Sequence, residues 1–194
     1  MAYSLRAATP ADEFELRDLI ARSIRALGMG DYSSDQIEAA LAGAFGLDTI
    51  LIRDGTYLVA ITDRGEIVGC GGWSRRKTLF GSDARGNRDD TQLDPRSEPA
   101  KIRAFFIDPH HARRGIGRAI LERSEAEAIR AGFSAFELMA TLPGRRLYEK
   151  CGYVAETEVQ IPLPGDLQIT FVPMSKDLPK SADKDVPRSQ LIGP

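Results

Sequence analysis

Histidine and cysteine are scarce, with two of each among 194 residues. Cys70 and Cys151 are too few for a disulfide framework and are not spaced as metal ligands. Each reads as a small apolar residue in a reducing compartment, and no histidine context supports Cys151 as a nucleophile. His110 and His111 adjoin in one loop, where a solvated turn accounts for them better than a catalytic or metal pair. Long apolar runs are also missing: none approaches the roughly 20 residues that span a bilayer, and the N-terminus shows no signal-peptide pattern. A cytoplasmic protein without a membrane partner is the expectation. A formal net charge of -2 gives no reason to expect nucleic acid as a partner either. No period recurs, which excludes a repeat architecture.

What is present is ordinary in bulk, with 42% hydrophobic and 28% charged residues. This predicts a single domain over 1–177. The polar, proline-containing tail 178–194 is expected to be flexible.

Residues 102–118, IRAFFIDPHHARRGIGR, carry the densest signal. Ile102, Ala104, Phe105, Phe106 and Ile107 form a short aromatic run that suits a strand. Asp108-Pro109 stops it, since proline offers no N–H to a ladder. Gly115-Ile116-Gly117 follows, and then a helical pattern from Arg118 onward. Strand, glycine loop and helix in that order place free N–H groups at the positive end of a helix dipole, a ready phosphate site. Gly115 and Gly117 let a diphosphate approach the backbone, and Arg113, Arg114 and Arg118 add charge. A Walker-type loop is disfavoured, because no Gly-Lys-Ser/Thr follows. A Rossmann fingerprint fails at its third glycine. For the loop alone, an ordinary strand-to-helix turn with exposed arginines stays open.

A second motif lies downstream, Arg146-Leu147-Tyr148-Glu149-Lys150-Cys151-Gly152-Tyr153. G-I-G followed by R-L-Y-E-K-x-G-Y resembles the GNAT superfamily of acetyl-CoA-dependent N-acetyltransferases. The resemblance is specific in 105–118 and 147–153, and the order of elements fits from about 4 to 176. It implies an α/β (α+β) fold: one domain with a central mixed, mostly antiparallel, twisted sheet of about seven strands, flanked by about four helices. One parallel pair in that sheet is expected to be splayed.

The resemblance also implies roles. The main chain of Phe105, Phe106 and Ile107 would hold the pantetheine arm of acetyl-CoA, with the Phe105 N–H directed at the thioester oxygen. Arg113, Arg114, Gly115, Ile116, Gly117 and Arg118 would hold the pyrophosphate. Tyr148 matches the tyrosine that protonates the leaving thiolate; the alternative is an amphipathic residue anchoring its helix. Thr141 stands where many members carry a cofactor-binding Asn. Ala112 and Arg113 replace a common Gln or Arg and a common Gly, changes that backbone cradling survives. Lys101 stands where some members carry a glutamate base. The base is therefore open between a water relayed to the polar loop and attack by an already neutral amine.

The expected partner is an amine of a small molecule or peptide, with no metal, and dimerisation is common in the family. Arg75-Arg76 would favour an acidic acceptor, or mark a solvated strand end. A second reading is a non-catalytic acyl-CoA-binding regulatory module that kept the fold.

The remaining elements follow in order. A strand over 4–8 leads to a helix started by Thr9-Pro10-Ala11-Asp12, with Leu16, Leu19, Ile20, Ile24 and Leu27 on one face. A capping box at Ser33–Gln36 starts a second helix. Residues 56–62 and 67–73 read as a hairpin. Gly69, Gly71 and Gly72 predict a bulge or a close neighbouring chain there. Trp73 is read as core in preference to cleft lining. The polar stretch 80–100 is either functional or a surface excursion. A helix over 116–131 with Ile116, Ile120, Leu121, Ala128 and Ile129 facing the core leads to a parallel strand over 133–140. A short helix through Lys150 and a hairpin of 154–161 with 167–174 complete the chain.

Overall fold

The computed structural model describes residues 3–84 and 88–179. The tail expected over 178–194 falls outside the described residues from 180 onward. Leu178 packs on the core, and its N–H donates to the Ser134 carbonyl at 2.8 Å.

Eight strands form one sheet: β1 (Tyr3–Ala7), β2 (Tyr57–Thr62), β3 (Ile67–Ser74), β4 (Ala100–Ile107), β5 (Ala135–Thr141), β6 (Val154–Ala155), β7 (Val159–Pro162) and β8 (Gln168–Asp177). Five helices accompany them: α1 (Glu13–Leu27), α2 (Ser34–Leu41), α3 (Thr49–Arg53), α4 (Ile116–Arg130) and α5 (Arg145–Lys150). The spatial order is β1-β2-β3-β4-β5-β8-β6, with β7 also on β8. Among the described strands only β4 and β5 run parallel, joined through α4. The expected sheet is therefore present, with one strand more than anticipated.

That extra strand has a local cause. The expected arm 154–161 is broken into β6 and β7, which pair with β8 through Ala155↔Met174 and Val159↔Phe171. The break falls opposite Pro173, whose carbonyl accepts from the Glu156 N–H at 2.9 Å. On that side proline has no N–H to return, so the ladder stops.

Alternation along β2 sorts the core into two layers. Tyr57 and Val59 face α1, α2 and α3, while Leu58 and Ala60 face α4. Trp73 lies in the core, edge-on to Phe133 at 5.9 Å. Ile129, expected in the core, is exposed, because α4 turns that side to solvent in its last turn.

α3 was not foreseen. At five residues it is too short for periodicity to reveal, and it forms because Asp48 accepts from the Ile50 N–H at 3.2 Å. Asp48 is fully buried and also meets Arg103 at 2.8 Å and Arg88 at 2.7 Å. Arg88 belongs to the polar stretch 80–100. The described parts of that stretch pack down on this pair, with Ser82 and Leu93 buried and Phe80 against Phe171 at 5.5 Å.

The centre of the sheet is irregular. Cys70 pairs with Phe106 and Gly72 with Arg103, so Ala104 and Phe105 both stand opposite Gly71. This is a bulge in β4, and Ala104 adopts φ 56 to make it. The Phe105 ring lies directly over Gly71, where a Cβ would stand 2.7 Å from it. The glycines of β3 thus mark both features anticipated there, an irregular ladder and a close neighbour. On the other side, β4 pairs with β5 only through Ala100↔Phe136 and Lys101↔Glu137. An ion pair between the Lys101 and Glu137 side chains closes that last rung. Beyond it the two strands part.

Candidate active site

The gap between the parted strands opens into a cleft of about 490 Å³. Its walls come from α1, the end of β4, the loop into α4, the end of β5 and α5. Past Lys101 the main chain of β4 has no register partner on the β5 side. The Ile107 N–H points that way and donates to the Ser23 hydroxyl of α1 at 3.1 Å.

The glycine loop stands at one end. Gly115 is the N-cap of α4 with φ 85, and open space surrounds the position of a Cβ there. Arg113 is also left-handed, with φ 64. The first N–H groups of α4 have no acceptor within the helix, which leaves them for an anion. A Cβ at Gly117 would stand 3.1 Å from Leu147, so the first turns of α4 and α5 touch.

Of the residues singled out from the sequence, Phe106, Ile107, Arg113, Gly115, Ile116, Gly117, Arg118 and Thr141 line this one cleft. Arg114 is exposed within the loop between lining residues. Thr141 accepts the Gly144 N–H on its hydroxyl at 3.2 Å, which shapes the turn into α5. Phe105 and Tyr148 sit behind the wall, their rings edge-to-face at 6.1 Å, with Tyr153 a further 5.8 Å from Tyr148. Burial pushes the Tyr148 phenol well above its usual value, so the group stays protonated at neutral pH. Burial likewise raises the Cys151 thiol, which keeps it from being a thiolate.

Several lining residues were not foreseen. Tyr32 donates its hydroxyl to the Thr170 carbonyl at 2.7 Å and accepts the Leu142 N–H at 2.8 Å. Burial pushes its phenol up to about 12. With Ile24, Leu27, Phe45 and Phe106 it makes part of the wall apolar. Ser23 and Tyr32 carried no signal in the sequence, because only the packing of α1 on the sheet brings them here. Arg146 and Lys150 also line the cleft, and their spacing was visible in the motif. His111 lines it too, held by Asp108 at 3.2 Å. Burial works to raise the Asp108 carboxyl, but His111, the His110 N–H and Arg22 together hold it below its usual value. Among the described residues no three His, Cys, Asp or Glu side chains are grouped to hold a metal ion.

A splayed parallel pair at the centre of a mostly antiparallel sheet, with a glycine loop at the mouth of the gap, is an acyltransferase architecture. The chain belongs to the acetyltransferase (GNAT) family, whose model matches residues 22–153. The GCN5-related N-acetyltransferase (aminotransferase, class II) of Rhodopseudomonas palustris superposes with a TM-score of 0.67 at 21% identity, over 92% of this chain and 97% of its own. The PaiA N-acetyltransferase of Thermoplasma acidophilum, in complex with coenzyme A, gives 0.63 at 16% identity, over 91% and 99%. The ribosomal-protein-S18-alanine N-acetyltransferase of Escherichia coli gives 0.57 at 14%, over 94% and 98%. At these identities the likenesses speak to the fold. No curated protein matches the chain in sequence. No helix among the described residues is long and apolar enough to cross a membrane.

Proposed function

We propose that this acyltransferase moves an acetyl group from acetyl-CoA to an amine of a small molecule or peptide in the cytoplasm, by direct attack within a ternary complex. The observation that carries this is the stretch of β4 main chain left without a strand partner, opening into the same cleft as the glycine loop. The transfer forms a C–N bond and breaks the thioester C–S bond; the amine loses a proton and the departing thiolate takes one up.

Each need has a residue. The N–H groups of Gly115, Ile116 and Gly117 face the pyrophosphate, with Arg113, Arg114 and Arg118 beside them. Phe106 and Ile107 offer main-chain groups to the pantetheine arm, and Thr141 borders it. The Phe105 N–H points at the thioester oxygen, where negative charge develops. Tyr148, which stands behind the wall beside Leu147, is the group assigned to protonate the leaving sulfur, and burial keeps its phenol in the protonated form. Lys101 is tied to Glu137 and does not line the cleft. The acceptor attacks as the free amine, whose neutral form the apolar part of the wall favours. The relative from Escherichia coli is named for a peptide acceptor, which is the reason a peptide stays beside small molecules here.

Calorimetric titration with acetyl-CoA and with free CoA tests the donor site. Micromolar binding, weakened about tenfold or more by Arg114→Glu, is expected. Absence of binding to either ligand overturns the proposal.

A further inference from the structure

The cleft has walls of different character, built from different parts of the fold. Ile24, Tyr32 and Phe45 sit in one hydrophobic cluster, with Phe106 packed against it. Ile116 of the glycine loop and Leu147 of α5 pack in other clusters. Tyr32 and Phe45 are anchored on β8, through the Thr170 carbonyl at 2.7 Å and the Phe171 ring at 5.7 Å. The basic lining residues Arg113, Arg118, Arg146 and Lys150 come instead from the loop before α4, from α4 and from α5. One wall is therefore apolar and another basic.

The apolar wall offers nothing to a charged group. Among the described lining residues there is no Asp or Glu. Asp31 and Glu158, whose charges act on the Tyr32 phenol, stand outside the lining, and Glu158 faces Arg145 at 3.8 Å. The hydroxyls of this wall are already engaged. Tyr32 donates to the Thr170 carbonyl and accepts the Leu142 N–H, and Ser23 accepts the Ile107 N–H. An ammonium set against Ile24, Phe45 and Phe106 would lose its water and gain no partner. An alkyl or aryl group in the same place gains from burial. Leu27, the last residue of α1, carries this wall outward: it lines the cleft and is 37% exposed.

We infer that the acceptor is a primary amine with an apolar body, alkyl or aryl, and no second charge near the reacting nitrogen. This rests on the transfer proposed above and narrows its acceptor. Amines that carry a second ammonium are poor substrates, and Leu27 sets that preference from the rim.

The test follows release of the CoA thiol from acetyl-CoA with phenylethylamine and with putrescine as acceptors, beside calorimetric titration with CoA. Wild type is compared with Leu27→Glu and Leu27→Met. Leu27 ends its helix and is partly exposed, so both variants keep the fold. Wild type should use phenylethylamine with a kcat/KM about tenfold or more above that for putrescine. Leu27→Glu supplies the missing carboxylate and should narrow that ratio about tenfold, whereas Leu27→Met should keep it. Equal or better use of putrescine by wild type overturns the apolar acceptor, and so does turnover of neither amine by a protein that binds CoA. A ratio unmoved by Leu27→Glu overturns the placement of the acceptor on this wall. Failure to bind CoA removes the donor site and this acceptor class together.

Discussion

The hydroxyl of Tyr57 donates to the carbonyl oxygen of Ala104 across 2.9 Å, from a side chain with no exposed surface. The bulge takes that carbonyl out of the regular ladder, and a partly buried acceptor gains from a replacement donor. Burial holds the phenol far above its usual pKa, so it remains a donor at any working pH. Tyr57→Phe removes the donor and leaves this partly buried carbonyl without it. We expect a loss of about 1–3 kcal/mol in urea unfolding, together with weaker acetyl-CoA binding, since the Phe105 N–H proposed to meet the thioester belongs to the same bulge. Unchanged values for both would show that the bulge holds itself.

Asp48 balances two guanidinium groups inside the protein. The Arg103 side chain is 2% exposed and that of Arg88 12%, and both meet the one carboxylate. Asp48→Ala strands Arg103, leaves Arg88 only Asp83 at 3.7 Å, and removes the cap of α3. A destabilisation of about 3–5 kcal/mol is expected in denaturant unfolding. A loss below about 1 kcal/mol would mean that other groups carry the charge.

Tyr148→Phe keeps the ring contacts with Phe105 and Tyr153 and deletes only the hydroxyl. Turnover should fall roughly 10- to 100-fold, with CoA affinity nearly unchanged. Because burial raises this phenol, the wild-type rate should show no falling limb from it up to about pH 10. Full turnover in the variant would leave Tyr148 as a packing residue only.

Arg6 hydrogen-bonds both oxygens of Asp12 at 2.7 Å and, against the effect of burial, holds that carboxyl at about 2 in place of 3.8. The folded value lies below the unfolded one. The stabilisation is thus present above about pH 4 and is lost as pH falls from there towards 2. Arg6 is 40% exposed, so solvent screening reduces the contribution to about 1 kcal/mol. Asp12→Asn should cost that amount at pH 7 and almost nothing at pH 2. An equal difference at both pH values would count against the ion pair as its source.

The glycine loop at the mouth of the cleft was legible because it is written in residue types: Gly115 and Gly117 between arginines, after a strand stopped by Asp108-Pro109. The order of elements was legible through periodicity and caps, as at Ser33, where the box with Gln36 forms as expected. The bulge was not, because an alanine at position 104 gives no sign of a positive φ; the glycines across from it in β3 were the only hint. Ser23 and Tyr32 were invisible for a different reason. They reach the cleft from α1 and the turn after it, through contacts with residues more than eighty positions away. Such tertiary placements leave no local pattern to read. Pro173 was in plain view, yet its effect depends on which side of β8 it faces, and the sequence does not state that.

A bare strand edge on the outside of a sheet invites another chain to pair with it and so promotes aggregation. Here the bare length of β4 lies between β3 on one side and the β5–β8 arm on the other. A thin, flexible ligand can enter that slot, while a second polypeptide would have to part the sheet to do so. The protein can therefore leave main chain unpaired within the sheet without offering it as a template for self-association.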